Sequence, residues 1–435
     1  MRVLLITGSY PPMKCGVGDY TRHLAEALGA MEGVSVAVLT DVSAASSPTG
    51  EGVTLFPVVN GWTPPCVAPI LRTTLRWKPD LVHIQYPTQG YKGSFLSYQL
   101  PLLISASGFP VFQTWHEYMP VGSITAFVNA LPTKGFVVVR PDFENNSSPF
   151  YGWIFRRKPF RFIPNAPTIP VATLPEDQRA SIRREMAPTA ERLIAYFGFV
   201  SPVKNVEALF DIADPDRDHI VLACDLDPSD PCHAAILEKT GNECWKRKST
   251  ITGYLPPDEV GRILAAADAV VFPFREGGGD WNTSIRGAAA QGTFVLTTSR
   301  ERNGFDAERN IYFAEPGNLA EMREALTLHA GSRGPMQDPV VAWSSIAQAH
   351  ALYYRELLPP PSSSTNSGAR PGSILDHPAL RGPVTPGRIS FRGSTERRLQ
   401  DPGIDRATSP ETWDSEDGGS RRHGTSETGP GRFAS

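Results

Sequence analysis

Long apolar runs, paired cysteines and an excess of charge of either sign are all missing from this 435-residue sequence, and each absence removes a class of protein. The first apolar run, Val3 to Ile6, meets Gly8, Tyr10, Pro11 and Pro12 too soon to form a signal-peptide core, and no later stretch is long enough to span a bilayer. A cytoplasmic protein is expected. Cys15, Cys66, Cys224, Cys232 and Cys244 form an odd set without a C-x-x-C pair, which argues against a disulfide framework and against a structural zinc site. Lysine plus arginine (42) nearly balances aspartate plus glutamate (45), so the net charge of -3 points neither to nucleic acid nor to an acidic membrane surface. No hydrophobic or basic amphipathic anchor stands out, and peripheral membrane contact stays open.

What is present is an alternation. Short β-branched runs at Val3–Thr7, Val34–Thr40, Val53–Val59, Leu81–Gln85, Val111–Trp115 and Phe136–Val139 are separated by helical patterns such as Asp19–Ala30, for which Asp19 is the expected cap. Proline-dotted sequence then follows Phe162-Ile163-Pro164-Asn165, and a second series begins, with strands expected at Leu193–Phe197, Ile220–Cys224, Thr250–Thr252, Ala269–Phe272 and Phe294–Thr297. Helices are expected near Val206–Ile212, Asp258–Ala266, Ser284–Gln291 and Trp343–Leu357. The fold class is therefore α/β, with two tandem Rossmann-like domains and a cleft between them. The expected division is a first domain at 1–165, a linker at 166–190, a second domain at 191–341 and a closing helix at 342–358. Residues 359–435, crowded with Gly, Pro, Ser and charge, have too few large apolar side chains to offset chain entropy and are expected to be a disordered tail.

Three clusters carry chemistry, each where a strand runs into a loop, the edge at which doubly wound sheets bind ligands. The first is the glycine loop Gly8 to Tyr20 with Gly16, Val17, Gly18 and Asp19, where backbone amides can turn toward a phosphate or a sugar. The second is Gln113 to Glu117, which sets His116 and Glu117 at a strand end, with Gln85 and Tyr86 similarly placed after His83; His83 itself sits inside an apolar run and reads as a core histidine. The third and strongest is Phe272 to Ser284, containing Glu276, Gly277, Gly278, Gly279, Asp280, Asn282, Thr283 and Ser284, ahead of a small-residue helix. Backbone amides and a helix N-terminus can approach a diphosphate there without side-chain obstruction. Upstream, Gly198 to Lys204 places one cation just past another strand.

At these residues the sequence resembles the retaining glycosyltransferases of family 4, which have the GT-B fold. The resemblance rests on Gly16 and Gly18, His116, Phe162-Ile163-Pro164-Asn165, Gly198 with Lys204, Thr252-Gly253-Tyr254-Leu255, Ala266 to Phe274, and the closing Trp343 to Tyr354 pattern. It implies a nucleoside diphosphate sugar donor held by the second domain, no bound metal or other cofactor, and an acceptor approaching the first domain. Lys204 and Gly198 would meet the diphosphate. The Glu276 to Ser284 loop would give amides to the distal phosphate and Glu276 or Asp280 to sugar hydroxyls, and His116 would meet the donor sugar near its hydroxymethyl group. His116, Glu276 and Lys204 are thus the expected catalytic set, and Gly16, Val17, Gly18, Asp19, Gln85, Tyr86 and Glu117 the acceptor side.

Two positions depart from the family pattern. Phe199 stands where an arginine is common, with Arg286 of the following helix a candidate substitute, and the second of two family glutamates is absent in either register, Ser284 or Gly287 occupying its place. These departures leave two other readings beside an active transferase: a glycosyltransferase-like binding or scaffold protein, and a nucleotide-sugar epimerase on the same fold. The acceptor class (glycan, lipid-linked or small molecule) is open, and domain closure on donor binding is expected.

Overall fold

The computed structural model describes residues 1–117, 129–141, 143, 154, 156–279 and 281–358. The expected tail, 359–435, lies outside the described residues, as does Asp280.

Two seven-stranded sheets organise the chain. The first runs in the order β3-β2-β1-β4-β5-β6-β7, with β1 at Arg2–Ile6, β2 at Ser35–Asp41, β3 at Val53–Val59, β4 at Leu81–Tyr86, β5 at Val111–Trp115, β6 at Thr133–Val138 and β7 at Phe160–Phe162. All of its pairings are parallel. Parallel neighbours need crossovers, and the helices that make them cover both faces. Alternation along β1 shows why: Leu4 and Ile6 enter the core on one face with Ile84, Trp115 and Phe136. Val3 and Leu5 enter the other, with Tyr20, Leu24 and Leu28 of the helix Gly16–Gly29.

The second sheet runs β10-β9-β8-β11-β12-β14-β13. Its strands are β8 (Arg192–Phe197), β9 (Asp218–Ala223), β10 (Ser249–Ile251), β11 (Ala269–Phe272), β12 (Val295–Thr298), β13 (Gly304–Asp306) and β14 (Ile311–Ala314). The sequence reading found five of these. It missed β14, which extends the parallel sheet, and β13, which pairs antiparallel at the edge. It also missed β7, and it assigned 166–190 to a linker, where the structure forms a helix at Glu176–Met186 that buries Ile182. The three-residue strands β7 and β13 and a mean-polar helix carry too little apolar periodicity to be seen in sequence.

The last helix, Pro339–Leu357, starts at Asp338, whose side chain accepts from the Val340 amide, with Pro339 in the first turn where its missing N–H costs nothing. It buries Trp343, Ile346, Ala347, His350, Tyr353 and Tyr354 in the core of the first sheet, beside the helix Gly16–Gly29. Gly135 makes room for it: a Cβ there would lie 2.6 Å from Leu357 and 2.7 Å from the Tyr353 hydroxyl. His83 is a core residue, fully buried and hydrogen-bonded to Tyr354 and, at 2.8 Å, to Thr114. Among the described residues no helix is long and apolar enough to cross a membrane. All five cysteines are free thiols, Cys15, Cys66 and Cys224 buried.

Candidate active site in the cleft between the sheets

The C-terminal ends of β1, β5, β8 and β11 open onto one cleft of about 1440 Å³. Gly16, Val17, Asp19, His116, Glu117 and Arg140 line it from the first-sheet side, and Gly198, Lys204, Glu276, Gly277, Gly278 and Ser284 from the second.

The first-sheet wall differs from a simple glycine loop. Helix begins at Gly16, three residues before the expected Asp19 cap, because Cys15 is extended and its carbonyl accepts from the Asp19 amide at 3.0 Å. Gly18 is buried against the Ser9–Tyr10 backbone, where a Cβ would lie 3.1 Å from the Ser9 carbonyl oxygen, so this glycine serves helix–loop packing rather than a ligand. Asp19 sits in the first helical turn and faces the cleft; burial pushes its carboxyl up to about 6, with Arg22 pulling the other way.

His116, at the end of β5, is 8% exposed and held from three directions. Its amide donates to the Tyr86 carbonyl at 2.9 Å, its Nε2–H to Gln85 Oε1 at 3.0 Å, and Tyr20 meets the ring edge-on with centroids 4.6 Å apart. Burial drives the imidazole down to about 3, and His350 adds to the shift, so His116 is neutral at physiological pH. Gln85 and Tyr86 are themselves buried and do not line the cleft: Gln85 orients His116, and Tyr86 packs on Tyr91 and Tyr98.

On the opposite wall, Gly198 follows β8 with φ +126°, and a Cβ there would come 3.2 Å from Ser284 Oγ, so strand end and helix start touch. The Lys204 loop is tied to the donor-loop candidate by three bonds: Asn205 Nδ2 to the Pro273 carbonyl at 3.0 Å, the Arg275 amide to Val203 O at 3.0 Å, and Arg275 Nε to Pro202 O at 2.8 Å. Lys204 Nζ lies 4.2 Å above the Phe274 ring. Burial lowers its ammonium below the ordinary lysine range; Glu117 acts against that shift and Arg140 adds to it. Those two influences place Lys204 in electrostatic reach of first-sheet residues across the cleft.

The glycine loop is partly spoken for. The Gly277 amide donates to Phe274 O at 3.3 Å and the Gly278 amide to Thr298 O at 2.7 Å, so neither is available to a phosphate in this arrangement. Asn282, expected to meet the donor, lines the cleft and caps the helix Thr283–Ala290, its Oδ1 accepting from Ser284 at 3.0 Å and Ile285 at 3.4 Å. Among the described residues the amides of Gly279 and Thr283 have no acceptor. Glu276 is exposed on the cleft wall, whereas Gly279 and Arg286 are not among the residues that line it.

Several lining residues escaped the sequence reading. Trp281 receives the guanidinium of Arg140 over its ring at 4.6 Å and a hydrogen bond to its carbonyl from Asn165 Nδ2 at 2.6 Å. Lys14 pairs with Asp225 and lies 4.5 Å above the Tyr254 ring, joining the first loop to the ends of β9 and β10. Arg140 follows β6 as His116 follows β5, so its position at a strand end was the signal available in sequence.

Residues 15–193 match the family described as glycosyl transferase 4-like domain. No curated protein matches the sequence. Among solved structures, sucrose-phosphate synthase from Thermosynechococcus elongatus superposes with a TM-score of 0.65 at 18% identity, over 82% of this chain and 99% of that one. HepE of Anabaena in complex with UDP gives 0.58 at 13% identity, over 82% and 100%. The catalytic domain of starch synthase IV from Arabidopsis thaliana, bound to ADP and acarbose, gives 0.57 at 13% identity, over 82% and 98%. The chain thus has the two-sheet GT-B fold of these structures, and its residues 15–193 are similar to the glycosyl transferase 4-like domain.

Proposed function

We propose that the protein is a retaining, metal-independent glycosyltransferase that moves a sugar from a nucleoside diphosphate sugar to a glycan, lipid-linked or small-molecule acceptor. The observation that carries this reading is the convergence in one cleft of Lys204, the N-terminus of the helix Thr283–Ala290 and the buried His116.

Charge develops on the diphosphate as the glycosidic bond to it breaks, and groups already oriented toward that charge stabilise the transition state without reorganising. Lys204, the amide of Thr283 and the helix dipole supply such groups from the second-sheet wall. They stand in the role that a divalent ion plays in other transferases. Glu276 is a carboxylate acceptor for donor-sugar hydroxyls, and the hydroxyls of Thr283 and Ser284 suit a ribose. The neutral His116, fixed by Gln85 and Tyr20, suits a hydrogen bond to a sugar hydroxyl rather than a charge contact. Retention fits front-face attack assisted by the departing phosphate, which needs no carboxylate nucleophile. UDP in the HepE structure and ADP in the starch synthase structure support a nucleoside diphosphate as the leaving group.

Isothermal titration of the purified protein with UDP, ADP and GDP tests the reading. One of the three is expected to bind, and Lys204→Ala to weaken that binding about 10- to 100-fold, the loss of one charge-assisted contact. Binding of none of them would end the proposal. Binding without turnover of any nucleotide sugar would favour the scaffold alternative that Phe199 raises.

A further inference from the structure

Among the cations that line the cleft, Arg140 has a seat of the same kind as Lys204, and it comes from the other sheet. Gly278 and Gly279 are adjacent, and each carries an aromatic ring against its backbone: a Cβ on Gly278 would lie 2.3 Å from Phe274, and one on Gly279 would lie 1.8 Å from Trp281. Each ring carries a cation, Lys204 Nζ at 4.2 Å from the Phe274 centroid and the Arg140 guanidinium at 4.6 Å from that of Trp281. Two positive groups therefore flank one short backbone segment, both on cleft-lining rings. Arg140 is held there by Glu117 Oε2 at 3.3 Å, and Trp281 by the bond from Asn165 to its carbonyl. Like charges near each other oppose one another and an anion relieves them: Arg140 depresses the Lys204 ammonium while Glu117 supports it.

We propose that the diphosphate subsite takes its second cation from the first domain: Arg140, seated on Trp281, faces Lys204 across the Gly278–Gly279 backbone, and Glu117 is the carboxylate that the donor phosphates displace. This rests on the reading of the cleft as a donor site and goes beyond it. It accounts for a diphosphate site beside Phe199, which brings no charge of its own. It also makes donor binding bridge the two sheets, because one phosphate contact comes from each. Trp281 and the paired glycines become the frame that sets the spacing of the two cations. A bidentate guanidinium suits phosphate oxygens, and its stacking on an indole keeps it oriented with little entropy left to lose.

The test compares wild type, Arg140→Gln, Arg140→Lys, Glu117→Gln and Lys204→Ala in titrations with whichever of UDP, ADP and GDP binds, the matching monophosphate and the matching nucleoside. Arg140→Gln is expected to weaken the diphosphate about 10- to 100-fold and to leave the nucleoside within about twofold. Arg140→Lys should recover part of the loss. Glu117→Gln should tighten the diphosphate several-fold by removing the competing carboxylate. If Arg140 only joins the two sheets, diphosphate, monophosphate and nucleoside will weaken together, and the assignment falls. It also falls if Arg140→Gln keeps wild-type diphosphate affinity while Lys204→Ala loses it, an outcome that leaves the donor-site reading intact. Failure of wild type to bind any diphosphate, or indifference to Lys204→Ala, would overturn the donor site and this assignment with it.

Discussion

Lowering the pH from 7 to 5 should unfold the first half of the molecule, because its core is built around imidazoles that cannot take a proton without leaving it. Three histidines, His83, His116 and His350, are buried there, and a fourth, His23, is partly buried and stacked on Trp343. Burial drives His23 and His350 down to about 4 and His116 to about 3, and holds His83 well below the usual histidine range. His350 shows the constraint directly: it is fully buried, its Nδ1–H donates to the Ile346 carbonyl at 2.9 Å, and its Nε2 lies 3.5 Å from the Tyr20 hydroxyl, so a second ring proton would be placed out of reach of solvent.

For each of these groups the folded-state value lies below the unfolded one of about 6.5, so its contribution to stability is whole above that pH and drains away as the pH falls toward the folded value. Asp19 works in the opposite direction. Its folded value, raised to about 6, exceeds the unfolded one, so it returns stability as the pH falls through that region. Between pH 6 and 5 the unfolded chain therefore holds about three more protons than the folded one, four from the histidines less one from Asp19, and each is worth about 1.4 kcal/mol per pH unit. The expected loss is about 4 kcal/mol per unit, a large share of the roughly 5–15 kcal/mol that keeps a domain folded.

Urea unfolding at pH 7.0, 6.0, 5.5 and 5.0, followed by tryptophan fluorescence, reads this slope, since Trp115 and Trp343 lie in the same cores. His350→Leu removes one titrating group and should reduce the slope by about 1.4 kcal/mol per unit, whatever it does to stability at pH 7. A wild-type slope below that of one proton, or an unchanged slope in the variant, would show that these imidazoles are protonated inside the folded protein and refute the reasoning.

Two further outcomes follow from the geometry. Replacing His116 by Ala should lower kcat about 100-fold while leaving nucleoside diphosphate affinity within about twofold, since its contact is to the sugar; wild-type kcat should show no inflection from this residue between pH 5 and 8, because its imidazole is already neutral there, and equal activity in the variant would remove it from the site. Gly90→Ala should cost about 2–4 kcal/mol in urea unfolding at pH 7, because the new Cβ would lie 1.8 Å from the Gly8 carbonyl oxygen, whereas Gly16→Ala, with nothing within 4 Å, should fall within about 0.5 kcal/mol of wild type.

The architecture was legible in sequence wherever the pattern is local. Val111–Trp115 and Ala269–Phe272 match the observed strands end to end, because fully buried parallel strands are continuous β-branched or aromatic runs that need no partner to be recognised. Strand ends followed from the same pattern, and with them the rim on which His116, Gly198 and the Gly277 loop stand. The helix start at Gly16 was not legible: Asp19 reads as a cap by type, and only the extended backbone of Cys15 and the packing of Gly18 on Ser9 decide otherwise. Nor could sequence tell which loop amides are already engaged, since the acceptor for Gly278 is Thr298, on a strand twenty residues away. Arg140 and Trp281 lie far apart along the chain and mean little separately. Composition and periodicity determined the two parallel sheets and their ligand-binding edge, because burial and backbone pairing repeat every few residues. The tertiary structure alone decided which groups face one another across the cleft, because electrostatics and hydrogen bonding depend on distance in space, which local pattern does not encode.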